Sequence, residues 1–213
     1  MDSITKTLQK HYVEKFSLHG ASSEGVDWGK DETKTVLRYD KMLQVINHNY
    51  SDKSKFSLLD VGCGYGGLLE YASYQHNNLN YTGIDVAENM IEWAITNSPK
   101  GNFIYGDIME YEFERKFDYV VCNGILTQKL ETPGLEMDRF AHQLIHRIFS
   151  LCVIGIAFNV MTTKVNYYAN NLYYRNPSEL LAWCMSEISS AIKIDHSYPL
   201  YEYTIYLYRN QKK

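Results

Sequence analysis

The chain has 213 residues, a length that suits one α/β domain and is short for two. Lys and Arg number 21 against 25 Asp and Glu, so the net charge is −4, and 45% of the residues are hydrophobic. This balance gives no sign of a basic nucleic-acid surface at the level of the whole chain. The polar N-terminus lacks the apolar stretch of a signal peptide, and no run approaches the length of a membrane span. We therefore expect a single cytoplasmic domain, 1–213, without a membrane or nucleic-acid partner.

The first fifty residues look helical, with a break between Gly20 and Gly29, and this pattern predicts an N-terminal helical lid over 1–50. From Leu58 onward, short apolar runs alternate with segments whose apolar residues recur at helical spacing. The predicted strands are 58–61, 81–85, 103–105, 117–122, 152–160, 192–195 and 201–208. Helices are predicted after the first two strands, between the fourth and fifth, and from Asn176-Pro177 onward.

This alternation of strands and helices implies a mostly parallel sheet covered on both faces. The last two strands are joined by a short link containing Pro199, which favours an antiparallel pair. The predicted fold is therefore α/β and Rossmann-like: a doubly wound seven-stranded sheet, mostly parallel, that ends in an antiparallel hairpin.

A cluster of glycines follows the first predicted strand in the segment LLDVGCGYGG, residues 58–67. Glycine allows a tight turn and lets a ligand come close to the main chain. Gly62, Gly64 and Gly67 also fit the spacing G-x-G-x-x-G, which alone is compatible with a nicotinamide or flavin cofactor, or with a turn that merely needs glycines.

Polar residues stand at the ends of the next three strands, where open α/β sheets bind ligands. Asp85 ends the second strand and can accept hydrogen bonds from both hydroxyls of a ribose. Asp107 follows the third strand and can accept from the exocyclic amine of adenine, with Ile108 packing on the ring. Asn123 and Gly124 form a polar lip after the fourth strand. This series predicts a site for an adenosine-containing ligand.

The segments DVGCGYGG, GIDVAENM, GDI and VVCNGIL together resemble the four motifs of the class I S-adenosylmethionine-dependent methyltransferases, over residues 36–209. The resemblance implies that S-adenosylmethionine (SAM) is the cofactor and S-adenosylhomocysteine (SAH) the product. It implies that Gly62 and Gly64 lie under the methionine part and that Asp60 orients the glycine loop or the cofactor's amino group. The other cofactor-binding positions that it implies are Asp85, Val86, Met90, Asp107, Ile108, Asn123 and Gly124.

The flanking segments HG, GVDW, LRY, LYYRNP and YPLYEY make a narrower match. They resemble a subgroup of small methyltransferases found among bacterial surface-polysaccharide enzymes, and more weakly those that methylate a capsular phosphoramidate group. This resemblance implies O-methylation of a small acidic acceptor, a phosphoramidate, a phosphate or a sugar derivative, in capsule or surface-polysaccharide biosynthesis.

Two residues of the predicted lid are candidates for contact with the cofactor. Arg38, on an amphipathic helix, could clamp the methionine carboxylate bidentately, or could simply be a surface arginine. Trp28, on the preceding loop, could cover the cofactor and stabilise the sulfonium with its ring face, or could only pack the lid.

The candidates for catalysis and acceptor binding lie in the lid and in a long insertion, 161–177, placed over the strand ends. His19 is the first candidate for a general base or anion ligand, with an exposed loop histidine as the alternative, and Tyr174 is the second catalytic candidate. An acidic acceptor oxygen is already anionic and needs no base. The predicted acceptor-binding residues are Lys164, Tyr167, Tyr168, Tyr173 and Arg175, although each cation could equally be a surface charge.

His142 and His146 have the i, i+4 spacing of metal ligands, but no nearby acid or third ligand accompanies them. The four cysteines form no C-x-x-C pair. We therefore predict no metal site, with the two histidines on a solvated or half-buried helix face.

Two other functions stay open at this point. The glycine spacing allows an NAD-dependent oxidoreductase, which Asp107-Ile108 and the terminal hairpin disfavour. A non-catalytic module that keeps the methyltransferase fold for binding is the third possibility, and the intact acids Asp85 and Asp107 argue against it.

Overall fold

The computed structural model of the protein describes residues 1–46, 55–73 and 79–210. Its strands are β1 (Phe56–Val61), β2 (Leu79–Asp85), β3 (Asn102–Tyr105), β4 (Phe117–Cys122), β5 (Cys152–Thr162), β6 (Tyr174–Arg175), β7 (Ile192–Asp195) and β8 (Glu202–Tyr208). Its helices are α1 (Ser3–His19), α2 (Glu32–Leu43), α3 (Gly67–Ser73), α4 (Glu88–Asn97), α5 (Gly134–Leu151) and α6 (Pro177–Glu187). A 3₁₀ turn at Ile125–Thr127 follows β4.

One sheet runs through the protein in the order β3-β2-β1-β4-β5-β8-β7. The strands β1 to β5 are parallel, and the register pairs Val61 with both Ile84 and Cys122. The carboxyl ends of β1, β2 and β4 therefore meet at one edge of the sheet, beside the end of β3. This arrangement confirms the predicted doubly wound α/β fold.

The C-terminal part of the sheet is antiparallel, as predicted, because β8 inserts between β5 and β7 and runs against both. The sheet has one strand more than the predicted seven. The two-residue strand β6 pairs with the end of β5, Tyr174 opposite Met161 and Arg175 opposite Thr162. A strand of two residues has no alternation pattern, so the sequence does not reveal it.

The helix α1 ends at Gly20, whose φ of 63° favours glycine. It lies against the junction between β2 and α4, where Gln9 Nε2 donates to the carbonyl of Val86 at 2.7 Å and Asn89 Nδ2 donates to the carbonyl of Val13 at 3.1 Å. The predicted N-terminal helices thus stand next to the edge where β2 ends. Residues 47–50, the last part of the predicted lid, lie outside the described residues.

Apolar side chains cover both faces of the sheet. Leu144 and Phe158 belong to the cluster under α5, while Leu58 and Tyr119 belong to the cluster on the other face. All four cysteines are free and buried, in keeping with small core residues. Among the helices of the described ranges, none is long and apolar enough to cross a bilayer.

The two histidines of α5 pack on an aromatic ring. His142 stacks on Trp183 with ring centres 3.9 Å apart, and His146 meets the edge of the same ring at 5.6 Å. Burial and the nearby Arg175 lower the pKa of His142 and favour its neutral form. Within residues 1–46, 55–73 and 79–210, no group of three His, Cys, Asp or Glu side chains could hold a metal ion.

Candidate active site

The turn after β1 is shaped for close approach of a ligand to the main chain. Gly62 and Gly64 have φ values of 75° and 54°, which residues with a side chain rarely adopt. A Cβ on Gly62 would lie 2.8 Å from the side chain of Ile125, and one on Gly64 would lie 3.3 Å from Val26. Both glycines line a cleft at the carboxyl edge of the sheet.

Asp85 lies in this cleft and organises the turn. Its Oδ2 accepts from the N–H of Gly64 at 2.8 Å, and its Oδ1 accepts from the N–H of Ala87 at 2.8 Å. Burial raises the pKa of Asp85, while these backbone N–H groups oppose the rise. Because a carboxylate oxygen can accept more than one hydrogen bond, both oxygens retain capacity for ligand hydroxyls.

Asp107 keeps a buried oxygen free in the same cleft. Its Oδ1 accepts from the N–H of Met109 at 2.9 Å, whereas Oδ2 has no hydrogen-bond partner among the described residues. The N-terminal ammonium of Met1 lies 4.0 Å from Oδ2. Ile108 is buried and lines the cleft beside it. An acceptor next to an apolar surface suits the edge and face of a purine.

The end of β4 adds a second unpaired group. Both polar atoms of the Asn123 side chain are buried without a hydrogen-bond partner in the described part of the chain. The next residue, Gly124, has φ of 93° and donates its N–H to Asn159 Oδ1 at 2.8 Å. Buried polar atoms without partners are rare in proteins, and here they face a cleft in which a ligand could satisfy them.

Asp60 is a buried carboxyl group at the floor of the cleft. It is 2% exposed, and its Oδ2 accepts from the hydroxyl of Tyr81 at 2.7 Å. Burial, and to a lesser extent the nearby Asp85, raises the pKa of Asp60 to about 7, against the opposing effect of the Tyr81 hydrogen bond. A cation bound in the cleft would favour its ionised form.

The lid helix forms part of the cleft through residues that the sequence analysis missed. Thr5, Leu8 and Tyr12 of α1 line it, together with the predicted Val86 and Met90. Their spacing of three and four residues puts them on one face of the helix, a pattern that could have identified them. The Oγ1 of Thr5 is buried and has no hydrogen-bond partner in the ranges described.

Every predicted cofactor residue except Arg38 lines this one cleft. It combines a glycine turn, carboxylates of Asp60, Asp85 and Asp107, and an apolar shelf at Ile108. These groups fit a ligand that carries adenine, ribose and a charged amino-acid part. Comparison with known proteins identifies the family that has such a cleft.

The sequence model described as "Methyltransferase domain" matches residues 58–144, which span the strand ends of the cleft. A protein of Mycobacterium tuberculosis named as a methyltransferase, Rv1506c, is 31% identical over 152 residues. The alignment covers 70% of this chain and 91% of that protein. The chain belongs to the class I SAM-dependent methyltransferases.

Ubiquinone biosynthesis O-methyltransferases are further relatives of this methyltransferase. Those of Rickettsia prowazekii and Rickettsia typhi are 31% and 33% identical, over 56% and 59% of the chain. The chain spans about half the length of these enzymes, 49% and 51% respectively.

Solved structures of methyltransferases share the fold of the whole chain. Magnesium protoporphyrin IX methyltransferase of Synechocystis, solved with bound SAM, superposes with a TM-score of 0.67 at 14% identity over 99% of both chains. The plantazolicin methyltransferase BpumL, solved with SAH and a substrate analogue, gives 0.63 at 18% identity over 97% and 98%. The protein is thus a methyltransferase that uses SAM and releases SAH, so the oxidoreductase and the non-catalytic module are set aside.

A second cavity lies beside the cofactor cleft of the methyltransferase, and Trp28 lines both. Its walls come from the loop between α1 and α2 (residues 20–31, here called the lid loop), from α2, from the segment after β4 and from the start of β8. The polar residues among them are Asp27, Lys34, Arg38, Thr127, Gln128 and Glu202, and the apolar ones include Met161, Leu172 and Leu200. A cavity next to the cofactor is where a methyltransferase needs its acceptor.

Arg38 lies in this second cavity and not in the cofactor cleft, where a carboxylate clamp would have to stand. Its Nε donates to Oε1 of Glu202 at 2.9 Å, and its Nη2 contacts the same oxygen. Its Nη1 is buried without a hydrogen-bond partner among the residues described. In the structure, the guanidinium that was predicted to clamp the methionine carboxylate is paired with the buried Glu202 instead.

The insertion 161–177 places its predicted acceptor-binding residues outside both cavities. Lys164, Tyr167 and Tyr168 are exposed at the surface. The other two contact Asp138: the Tyr173 hydroxyl donates to it at 2.7 Å, and Arg175 pairs with it at 2.8 Å. Tyr174, the second catalytic candidate, also lines neither cavity, and its hydroxyl accepts from the N–H of Ala169 at 3.0 Å. The insertion contributes Met161 and Leu172 to the second cavity instead.

His19 is exposed at the end of α1 and lines neither cavity. The lid histidine that the sequence analysis missed is His11, whose Nε2 lies 2.9 Å from Oδ2 of Asp27. Asp27 also forms an ion pair with Lys15 at 2.7 Å and accepts a hydrogen bond from Gln128 Nε2 at 2.9 Å. Its backbone φ is 59°. Against partial burial, the hydrogen bonds from His11 and Lys15 hold the pKa of Asp27 below its usual value. Asp27 thus ties the lid helix to the segment after β4.

Proposed function

We propose that this methyltransferase transfers a methyl group to an oxygen of a small acceptor that carries an acidic group, and that the acceptor binds in the second cavity. The observation that carries the proposal is the position of Arg38. It lines a cavity that shares Trp28 with the cofactor cleft, and its Nη1 lacks a hydrogen-bond partner in the described ranges. Lys34 lies in the same wall. An anionic group would satisfy the free guanidinium nitrogen.

The same proposal assigns the groups of SAM to the cleft. The ribose hydroxyls donate to Asp85, and the adenine amine donates to Oδ2 of Asp107, with Ile108 on the ring. The amino-acid part lies over Gly62 and Gly64, with its ammonium toward Asp60. This orientation gives a partner to Asp107 and directs the sulfur toward Trp28, the residue that lines both sites.

Bound SAM supplies a methyl group on a positively charged sulfur, so the protein's task is alignment and exclusion of water. Trp28 lies beside Gly124 in the lining of the cleft, where its ring would stabilise the sulfonium of bound SAM. Arg38 holds the acidic end of the acceptor. An acidic oxygen is already anionic, so no residue has to remove a proton from it, which agrees with the position of His19 outside both cavities.

The acceptor classes that the sequence favours are phosphoramidates, phosphates and acidic sugar derivatives from surface-polysaccharide biosynthesis in the cytoplasm. The Rickettsia relatives are named as O-methyltransferases, which supports transfer to an oxygen. The mixed lining of the second cavity, with Arg38 beside Trp28 and Leu172, accommodates an anionic group attached to an apolar or ring-shaped body.

The test is a transfer assay with radiolabelled SAM against a panel of phosphoramidates, sugar phosphates, uronic acids and hydroxybenzoates, each paired with its neutral analogue. We expect methyl transfer to an oxygen of an acidic compound, detected as SAH release and by mass spectrometry of the product. Arg38→Lys should raise the KM for that compound, while Lys30→Ala, an exposed cation of the lid loop, serves as the control. Transfer to the neutral analogues at equal rates would overturn the acidic assignment.

A further inference from the structure

Trp28 forms the wall between the two cavities, and its position sets the shape of both. Its ring lies on the main chain of Gly124, where a Cβ would come within 3.0 Å of the indole Nε1. The ring also packs against Tyr39, with centres 5.7 Å apart. On this wall the guanidinium carbon of Arg38 stands 5.1 Å from the ring centre.

A line of buried polar contacts leads from Arg38 back to the cofactor cleft. Arg38 donates to Oε1 of Glu202, and Asn159 Nδ2 donates to Oε2 of the same carboxylate at 2.6 Å. The Oδ1 of Asn159 then accepts from the N–H of Gly124 at 2.8 Å. Since Trp28 rests on Gly124, these contacts close a ring of five residues that has the cofactor cleft on one side and the acceptor cavity on the other.

Stability alone does not explain this ring. Glu202 and Asn159 are only 2% and 1% exposed, and both stand in strands whose other residues are mostly apolar or aromatic. A buried ion pair adds little stability relative to well-packed apolar side chains of similar volume. What the pair does provide is geometry, because the planar guanidinium is held by two of its nitrogens and cannot rotate away from Trp28.

A neighbouring ion pair shows what a purely structural contact looks like in this region. Lys41, one turn further along α2, pairs with Asp195 of β7 at 2.9 Å. The side chains of Lys41 and Asp195 are 14% and 10% exposed. Those of Arg38 and Glu202 are 13% and 3% exposed. Both pairs join α2 to the C-terminal hairpin, but Lys41 and Asp195 line neither cavity.

We propose that Glu202 and Asn159 are positioning residues for methyl transfer. Through Arg38 and through Gly124, they fix Trp28 as the common wall that aligns the acceptor with the cofactor. The acceptor side of this inference rests on the proposed function. The position of Trp28 does not, and it can be measured on the protein with SAH alone.

The experiment compares Glu202→Gln with Asp195→Asn in protein labelled with ¹⁵N-tryptophan. The indole signals of Trp28, Trp93 and Trp183 are separated by NMR, and Trp28→Phe assigns the one of interest. We expect Glu202→Gln to shift or broaden the Trp28 signal and leave the other two in place. Asp195→Asn should leave all three unchanged, because Lys41 and Asp195 line neither cavity.

Calorimetry with SAH gives the second readout. Glu202→Gln should weaken SAH binding about fivefold, within the range reached by substitutions that act on a site through other residues. Asp195→Asn should leave the affinity within about twofold. If Glu202→Gln does not fold, Arg38→Lys takes its place, since it keeps the buried charge pair and loses the planar fork.

Two results would overturn the proposal: an unchanged Trp28 signal with unchanged SAH affinity in the folded Glu202 or Arg38 variant, or equal effects of the Glu202 and Asp195 substitutions. Both outcomes are independent of the acceptor. A failed transfer assay with acidic compounds would therefore remove the proposed acceptor class and leave the positioning role of Glu202 to be judged by the NMR result.

Discussion

The two cavities on either side of Trp28 are built in different ways. The cofactor cleft consists of main-chain turns at the ends of parallel strands, and it keeps polar atoms of Asp107 and Asn123 without hydrogen-bond partners in the described chain. In the second cavity, the proposed acceptor site, the charges of Asp27 and Glu202 are already compensated by Lys15 of α1 and by Arg38 respectively.

This difference has consequences for each site. The polar groups of the cleft stand at strand ends whose positions the sheet fixes. Substitutions of these residues should therefore act directly on cofactor binding. The second cavity is formed between the lid loop, α2 and the β7–β8 hairpin. Its shape should therefore change when residues that hold these elements together are substituted, even if those residues touch no ligand. The substitutions below separate these two behaviours.

Asp85→Ala tests the cleft most severely. The carboxylate holds the glycine turn through Gly64 and is the proposed acceptor for both ribose hydroxyls. Hydrogen bonds to a charged group contribute roughly 1.5–3 kcal/mol each, so SAH affinity should fall at least about tenfold. Calorimetry on the folded variant measures it, with Glu88→Gln, an exposed acid on the following helix, as the control. Unchanged affinity would remove Asp85 from the site.

Asp107→Asn tests the adenine end of the cleft. The free Oδ2 should accept from the adenine amine, whereas inosine presents a carbonyl oxygen that a carboxylate repels. We expect the protein to prefer SAH over S-inosylhomocysteine by about tenfold or more, and the asparagine variant to narrow that preference to about threefold or less. Competition binding with the two compounds measures the ratio. An equal preference in both proteins would place the adenine elsewhere.

Most of the residues predicted to bind the cofactor line one cleft, because the prediction followed strand ends. Asp85, Asp107 and Asn123 come directly after apolar runs, and a parallel sheet brings such positions to one edge. The short strand β6 was not predictable because two residues carry no alternation pattern. The partner of Arg38 was not predictable because Glu202 lies 164 positions away in the sequence. One sign was available: Asn159 is a lone amide in an apolar strand, and Glu202 is an acid at the start of an aromatic one.

The same reasoning predicted an acceptor site whose residues the structure places outside both cavities. Tyrosines and cations crowd the insertion after β5, which made it look like a pocket wall. In the structure Arg175 and Tyr173 are bound to Asp138, and Tyr167 stands 76% exposed. Composition shows that a segment carries polar groups, but only the three-dimensional arrangement shows which of them pair with each other.

Asp60 allows a pH test of the cofactor's amino-acid end. Burial raises its pKa to about 7, so the folded protein without ligand retains a proton that the unfolded chain releases near pH 4. Stability without ligand should therefore fall as pH rises from about 4 to about 7, and Asp60→Asn should lack this fall.

Binding of SAH should change in the opposite direction. Its ammonium favours the ionised carboxyl group, so affinity should rise several-fold, by at most about tenfold, between pH 6 and pH 8. In Asp60→Asn the affinity should be nearly flat over this range. A wild-type profile that is flat, or a variant profile that rises equally, would show that Asp60 does not face the ammonium.

The smallest effects are expected in the insertion. Lys164 and Tyr174 line neither cavity, so Lys164→Ala and Tyr174→Phe should leave kcat/KM for the identified acceptor within about twofold. Arg38→Lys should lower it by more than either. If instead the two insertion variants lose activity and Arg38→Lys does not, the acceptor binds under the insertion, as composition alone suggested.

The most direct test of these two assigned sites is a crystal structure of the protein with SAH. We predict that the ribose hydroxyls contact Asp85, that the adenine amine contacts Oδ2 of Asp107, and that the sulfur faces Trp28. Arg38 should still be bound to Glu202 on the far side of that ring. A structure in which Arg38 leaves Glu202 to bind the carboxylate of SAH would contradict it, because the arginine would then belong to the cofactor and the second cavity would lose its anion ligand.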